Sequence, residues 1–328
     1  MRVLALVDGE HHPPVTRWGI ETARARGLEV VGALLVGGIE KLDPAAPPDF
    51  GVETERSGAD AMASLRAAID RFRPQGVLDL SDEPVLGYRE RMELVAVALV
   101  AGIPYLGSDF RLEPPIAGPP LGPSTIAVIG TGKRTGKTAI SGELARLAAR
   151  RGLDPVIVAM GRGGPPEPQV AAAGTVDVER LLGLVREGHH AASDYLEDAL
   201  TTGVTTVGAR RAGGGLAGAP YATNLREAAE LAAGLGEGPV ILEGSGSSVP
   251  PVPWDAGILV VPATAPAEYL GGYLGPFRLL LSDLVVVTMG ASPSAGPENL
   301  STLRSHVRRF LDDARLVVTD FIPVPLRD

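Results

Sequence analysis

The nine residues Gly130-Thr-Gly-Lys-Arg-Thr-Gly136-Lys137-Thr138 constrain this chain more than any other stretch. They follow the apolar run Thr125–Ile129 and lead into the amphipathic stretch Ala139–Arg151. Strand, glycine-rich loop and helix in that order form the context of a P-loop. The glycines let backbone N–H groups turn inward around phosphate oxygens, and the helix N-terminus adds its partial positive charge. Gly130, Thr131, Gly132, Lys133, Arg134, Thr135, Gly136, Lys137 and Thr138 are therefore expected to hold ATP or a similar nucleotide. Lys137 would reach the β- and γ-phosphates, and Thr138 would offer its hydroxyl to Mg²⁺. The strict pattern departs in one place: its first glycine position is Thr131. The competing reading is a glycine-rich turn that caps a helix without a ligand.

Composition sharpens the point. Of 30 basic residues only three are lysines, and two of those, Lys133 and Lys137, lie in the loop. A compact ammonium differs from a planar guanidinium, so lysine surviving in an arginine-rich chain marks a position that needs it. The net charge of −9 argues against a nucleic-acid or anionic-membrane binder. With no cysteine there is no disulfide, zinc-thiolate or thiol nucleophile. No apolar run approaches a membrane span, and the N-terminus turns acidic at Asp8, too early for a secretory segment. The expectation is a cytoplasmic protein.

Strand-like and helix-like segments alternate along the chain, which predicts parallel α/β sheets. Before residue 112 the strands expected are Arg2–Val7, Glu29–Val36, Gly76–Leu80 and Pro104–Leu106, a Rossmann-like domain. Residues 113–123, rich in Pro and Gly, read as a stiff linker. A P-loop domain is expected over 124–328, with strands including Pro155–Ala159, Val204–Val207, Val240–Leu242, Ile258–Val261, Leu284–Val287 and Leu316–Val318.

A second Mg²⁺ contact should come from an acid ending a neighbouring strand, and Val240-Ile-Leu-Glu243-Gly-Ser-Gly supplies Glu243. A solvated strand end would look the same. Three polar, glycine-rich loops are further candidates: Ala159–Pro168, Gly188–Asp198 and Gly208–Gly215. Arg162, Gly163, Gly164, Arg210 and Arg211 have the guanidinium geometry and open backbone that bind phosphate or carboxylate, although an arginine-rich chain also scatters arginines by chance. His189 and His190, beside Asp194, could bind phosphate or move protons. Lys137, Lys133, Arg162, Arg210, Arg211 and His190 are the candidate catalytic groups, and Thr138 and Glu243 the candidate metal ligands. In the first domain Asp8–Pro14 and Asp79–Pro84 either help bind substrate or are capped turns.

The P-loop with Glu243-Gly244 resembles dethiobiotin synthetase and its relatives. More extensively, the chain is similar to the cyclic 2,3-diphosphoglycerate synthetase family. The stretches that carry this are Val7–His11, Asp79–Pro84, Gly107–Pro115, Gly130–Thr138, Ala159–Pro165, His190–Asp194, Gly213–Gly215, Glu243–Gly246 and Gly275–Arg278. The resemblance implies a Rossmann-like domain followed by a P-loop NTPase (SIMIBI-like) α/β domain. It implies ATP and Mg²⁺ as cofactors and closure of the two phosphates of 2,3-diphosphoglycerate into an internal anhydride. It also implies a homodimer, with neither nucleic acid nor membrane as partner. Ala212 stands where the family tends to carry cysteine, and the family pattern continues past the stretch matching Phe321–Asp328. Two other functions remain open at this point: an ATP-dependent ligase acting on another acidic metabolite, and a nucleotide-hydrolysing switch that binds a protein.

Overall fold

Branched apolar runs become strands buried on both faces, as parallel sheets flanked by helices require. Every residue of Val156–Gly161 is buried. The computed structural model describes residues 1–39, 41–42, 48–189, 191, 193–312 and 315–322. The chain divides into two compact units, one formed by Met1–Pro114 with Gly272–Phe277 and the other by Pro115–Gly271 with Arg278–Asp328.

The first unit carries β1 (Arg2–Val7), α1 (Pro13–Ala25), β2 (Glu29–Leu35), β3 (Thr54–Arg56) and α2 (Ala61–Phe72). These are followed by β4 (Val77–Asp79), α3 (Tyr88–Val100), β5 (Tyr105–Leu106) and β6 (Arg111–Leu112). Its sheet runs β3-β2-β1-β4-β5-β6, parallel except for the last pair. The strand order reverses between β1 and β4, the position of a doubly wound switch point.

In the second unit β7 (Thr125–Gly130), α4 (Lys137–Arg150), β8 (Val156–Gly161), β9 (Gln169–Ala171) and α5 (Val178–Arg186) come first. Next are α6 (Asp194–Thr202), β10 (Thr205–Ala212), β11 (Ala222–Thr223), α7 (Leu225–Ala232), β12 (Val240–Glu243) and β13 (Ala256–Pro262). The chain then passes through α8 (Glu268–Gly271) and α9 (Gly275–Leu280) to β14 (Leu284–Thr288), α10 (Pro297–Arg308) and β15 (Leu316–Val318). The sheet order is β11-β10-β8-β12-β7-β13-β14-β15, with β9 paired to β10. Strand alternation sorts its core onto two faces. Ala127, Ile129, Val158 and Leu242 pack on one face with Ala228 of α7 and Leu303 of α10. Val128, Ile157 and Ile241 pack on the other with Ala145 of α4.

Two expectations change. The strand predicted to stop at Val207 runs on to Ala212, because β11 pairs antiparallel with its end, Arg211 opposite Thr223. Arg210 and Arg211 therefore lie in a strand and not in a loop. The stretch treated as a loop through Asp198 contains α6, whose apolar residues Tyr195, Leu196 and Ala199 are buried one turn apart. Among the described residues no helix is long and apolar enough to cross a membrane.

Candidate active site

Sheet order brings Glu243 to the P-loop. β12 lies between β7 and β8, with Glu243 in register with Val128 on one side and Ala159 on the other. Thr138 opens the first turn of α4, and its hydroxyl donates to Glu243 Oε1 at 2.7 Å. Glu243 Oε2 is buried without a hydrogen-bond partner. Burial pushes the Glu243 carboxyl up to about 7, against the Thr138 hydrogen bond and the charge of Lys137. A hydroxyl and a carboxylate, one of whose oxygens is unsatisfied, make the hard oxygen donor set that Mg²⁺ prefers. Among the described residues no group of three His, Cys, Asp or Glu is gathered to encircle a metal. That fits an ion that keeps most of its water and leans on one or two protein groups and the substrate phosphates.

The loop is shaped for phosphate. Gly136 has φ +95°, and a side chain there would also strike the Phe321 ring, with Cβ 2.5 Å from its Cζ. Arg134 adopts φ +60°. Lys137 is buried, and its ammonium donates to the Gly132 carbonyl at 2.8 Å and to Thr135 Oγ1 at 3.3 Å. Burial draws its pKa down to about 8, partly offset by Glu243 and Asp194. From the end of β14, Thr288 Oγ1 donates to the Thr135 carbonyl at 2.8 Å and pins the loop to the sheet.

The resulting cavity measures about 600 Å³, and its lining includes Lys133, Lys137, Thr138, Arg162, Asp194 and Glu243. Arg162 follows β8, and Arg211 lies near the end of β10. Both guanidinium groups reach the turn after β12: a Cβ on Gly246 would stand 3.0 Å from Arg162 Nη2 and 3.2 Å from Arg211 Nη2. Asp194, first residue of α6, lies over the end of β8, with Oδ2 3.2 Å from where a Gly161 Cβ would be. Burial raises its pKa, opposed by Lys137, Lys133, Arg162 and Arg211. Burial and then Arg162 pull the Arg211 guanidinium below its ordinary range.

Not every predicted residue joins this cavity. Strand alternation turns Arg210 away from Arg211. Arg210 donates from Nε to the Gly164 carbonyl at 3.1 Å, and with Gly164 and His189 it lines a different cavity. His190 lies outside the described residues. In the first unit Asp8 Oδ1 accepts from His11 Nδ1 at 2.8 Å and Oδ2 from the Asp82 N–H at 2.7 Å, while Asp79 Oδ2 accepts from Arg91 and Tyr105. These loops are capped by buried carboxylates.

Sequence reasoning missed three residues. Met289 and Phe321 line the nucleotide cavity from beyond β14 and β15. Met289 adopts φ +59°, uncommon for a residue with a side chain. Asp198 on α6 is fully buried beside Glu243, and burial followed by the Glu243 charge holds it well above the usual carboxylate range. The i, i+4 spacing from Asp194 is a signal for a shared helix face, readable only once α6 is known to be a helix.

Fold and loop define the class: an α/β protein with a P-loop nucleotide-binding domain. Residues 125–320 match the family described as cyclic 2,3-diphosphoglycerate synthetase, P-loop domain, and residues 2–113 match its N-terminal domain. Among curated relatives, the cyclic 2,3-diphosphoglycerate synthetase of Rubrobacter xylanophilus is 46% identical over 99% of this chain and 74% of its own length. That of Methanothermobacter thermautotrophicus is 39% identical over 99% and 72%. A solved hydrogenase maturation factor HypB from Archaeoglobus fulgidus aligns over 72% of this chain and 91% of its own at 10% identity and a TM-score of 0.30, too slight a likeness to bear weight. The chain belongs to the cyclic 2,3-diphosphoglycerate synthetase family, whose P-loop implies use of a nucleotide.

Proposed function

We propose that this enzyme uses ATP and Mg²⁺ to convert 2,3-diphosphoglycerate to its cyclic anhydride, releasing ADP and phosphate. An oxygen of one substrate phosphate attacks the γ-phosphorus of ATP, and the bond from that phosphorus to the β,γ-bridging oxygen breaks to release ADP. An oxygen of the second substrate phosphate then attacks the first, now activated, phosphorus. The P–O–P ring bond forms as the bond from that phosphorus to the oxygen it had used in the first attack breaks, and this oxygen leaves with the former γ-phosphorus as inorganic phosphate. No protein nucleophile is required.

Each residue's task follows from its place. Lys137 leaves its loop contacts for the β- and γ-phosphates, and the backbone of Gly130–Thr138 cradles them. Thr138 and Glu243 would hold the cation, which would supply positive charge to offset that developing on the phosphate oxygens. Lys133, Arg162 and Arg211 cancel the repulsion between a multiply charged acceptor and the nucleotide. Met289 and Phe321 give the base an apolar edge. The observation that carries this reading is the convergence of Arg162 and Arg211 on Gly246, in the same turn that begins with the cation ligand Glu243.

The test is ADP release from Mg-ATP with and without 2,3-diphosphoglycerate, with Lys137→Ala as the blank. The metabolite should stimulate release in the native chain and not in the variant. Release indifferent to the metabolite would refute the proposed acceptor.

A further inference from the structure

Beside the nucleotide pocket the P-loop unit contains a second cavity of about 400 Å³, and among the described residues the two linings share Gly163 alone. Its walls are partly apolar, formed by Pro165, Pro166, Leu184 and Leu196. Among the described residues its polar side chains are Arg210, Gln169, His189, Ser193 and the hydroxyl of Tyr195, and no Asp or Glu lines it.

The donors are fixed before any ligand arrives. Nε of Arg210 is bound to the Gly164 carbonyl, which sets the plane of the guanidinium and leaves its terminal nitrogens to donate. Among the described residues no carboxylate pairs with Arg210. Tyr195 donates to Gln169 Oε1 at 2.9 Å, which orients that amide and leaves its NH₂ as a donor. The loop beneath is stiff. Ser193 Oγ donates to the Gly163 carbonyl at 3.0 Å, Asn224 Nδ2 to the Pro166 carbonyl at 3.1 Å, and the Arg210 N–H to Asn224 Oδ1 at 2.7 Å. Gly208 is bare because the Tyr195 ring fills its place, with Cδ1 2.6 Å from where a Cβ would be.

Apolar walls with a few convergent, preorganised polar groups are the marks of a small-molecule site. Here a guanidinium and an amide donor, with no acid in the described lining, select for negative charge. We propose that this cavity is a second anion site, distinct from the nucleotide pocket, which takes a small phosphorylated or carboxylated metabolite on Arg210, Gln169 and His189. The pairing of neighbours on β10 makes this possible: Arg211 reaches the turn at Gly246 beside the nucleotide pocket, and Arg210 lines the second cavity.

The experiment is equilibrium binding of two radiolabelled probes, 2,3-diphosphoglycerate and inorganic phosphate, to the full chain loaded with Mg²⁺ and a non-hydrolysable ATP analogue. At least one probe should show a component of about one site per chain that persists in Arg211→Ala. Arg210→Ala and Gln169→Leu should each weaken that component about tenfold or more. Retained binding of the analogue shows that each variant is folded. A component seen with phosphate alone identifies released phosphate as the occupant, and one seen only with 2,3-diphosphoglycerate identifies a phosphorylated metabolite larger than free phosphate. Both outcomes support the site. Binding that Arg210→Ala and Gln169→Leu leave unchanged, or no component surviving Arg211→Ala, overturns it. Because the readout is binding and not turnover, it stands or falls separately from the proposed reaction.

Discussion

Thr138 and Glu243 are 105 residues apart, yet the Thr138 hydroxyl donates to Glu243 Oε1 at 2.7 Å. The bond joins the first turn of the P-loop helix to the end of the adjacent strand, and it leaves the second Glu243 oxygen buried and unsatisfied. A cation would meet that need, and so does a proton when no cation is present.

This gives a pH dependence with a definite sign. In the metal-free fold burial pushes Glu243 up to about 7 from an ordinary 4.5. The folded chain then holds a proton that the unfolded chain releases. The stability this group contributes is complete below 4.5 and is lost as pH rises to about 7. The melting temperature of the metal-free protein should therefore fall across that window, by roughly 5 °C. Glu243→Gln should remove the part of this slope that Glu243 contributes and leave the part of the same sign from buried Asp198, and Mg²⁺ should restore stability of the native chain above pH 7. Identical pH profiles for native and variant protein would remove Glu243 from the account.

Arg162 and Arg211 should act on the acceptor and not on the nucleotide. Each would supply charge-assisted hydrogen bonds of about 1.5–3 kcal/mol. Alanine at either position should raise the KM for 2,3-diphosphoglycerate about 10- to 100-fold, while the KM for ATP changes less than about threefold. Arg211→Lys should recover only part of the loss, since a lysine cannot bind two oxygens in a fork. Steady-state kinetics with each substrate varied in turn decides the matter. An equal rise in both KM values would place these arginines on the nucleotide.

Asp198 offers a test of burial against charge. Burial and the neighbouring Glu243 hold its carboxyl well above the usual range, which favours the neutral form. Asp198→Asn keeps the size of the side chain and the neutral form that burial favours, and its stability should lie within about 1 kcal/mol of native in urea unfolding. Asp198→Ala opens a cavity beside Glu243 and should cost about 1–3 kcal/mol. A large loss from the asparagine variant would show that Asp198 is ionised in the fold.

Much of the nucleotide site was legible because its residues are consecutive. The spacing of Gly136, Lys137 and Thr138 after an apolar strand carries its own geometry, and Glu243 is marked by ending a buried strand. The arginines were legible as residues but not as a group. Adjacent positions on a strand face opposite ways, so Arg210 and Arg211 part company once β8 carries the ladder past Val207 to Arg210 and β11 continues it through Arg211. No local pattern marks Asp198, Met289 or Phe321, whose positions depend on helix and strand ends far apart in the chain.

By itself, then, the sequence determined the alternation of strand and helix, the phosphate-binding loop and the carboxylate that faces it, since each rests on short-range periodicity or on neighbouring residues. Only the tertiary structure decided which strand lies beside β7, which arginine enters which cavity, and which carboxylate is buried behind Glu243. Those outcomes depend on strand order and on the packing of α6 against the sheet, where contacts between distant segments set burial and therefore charge.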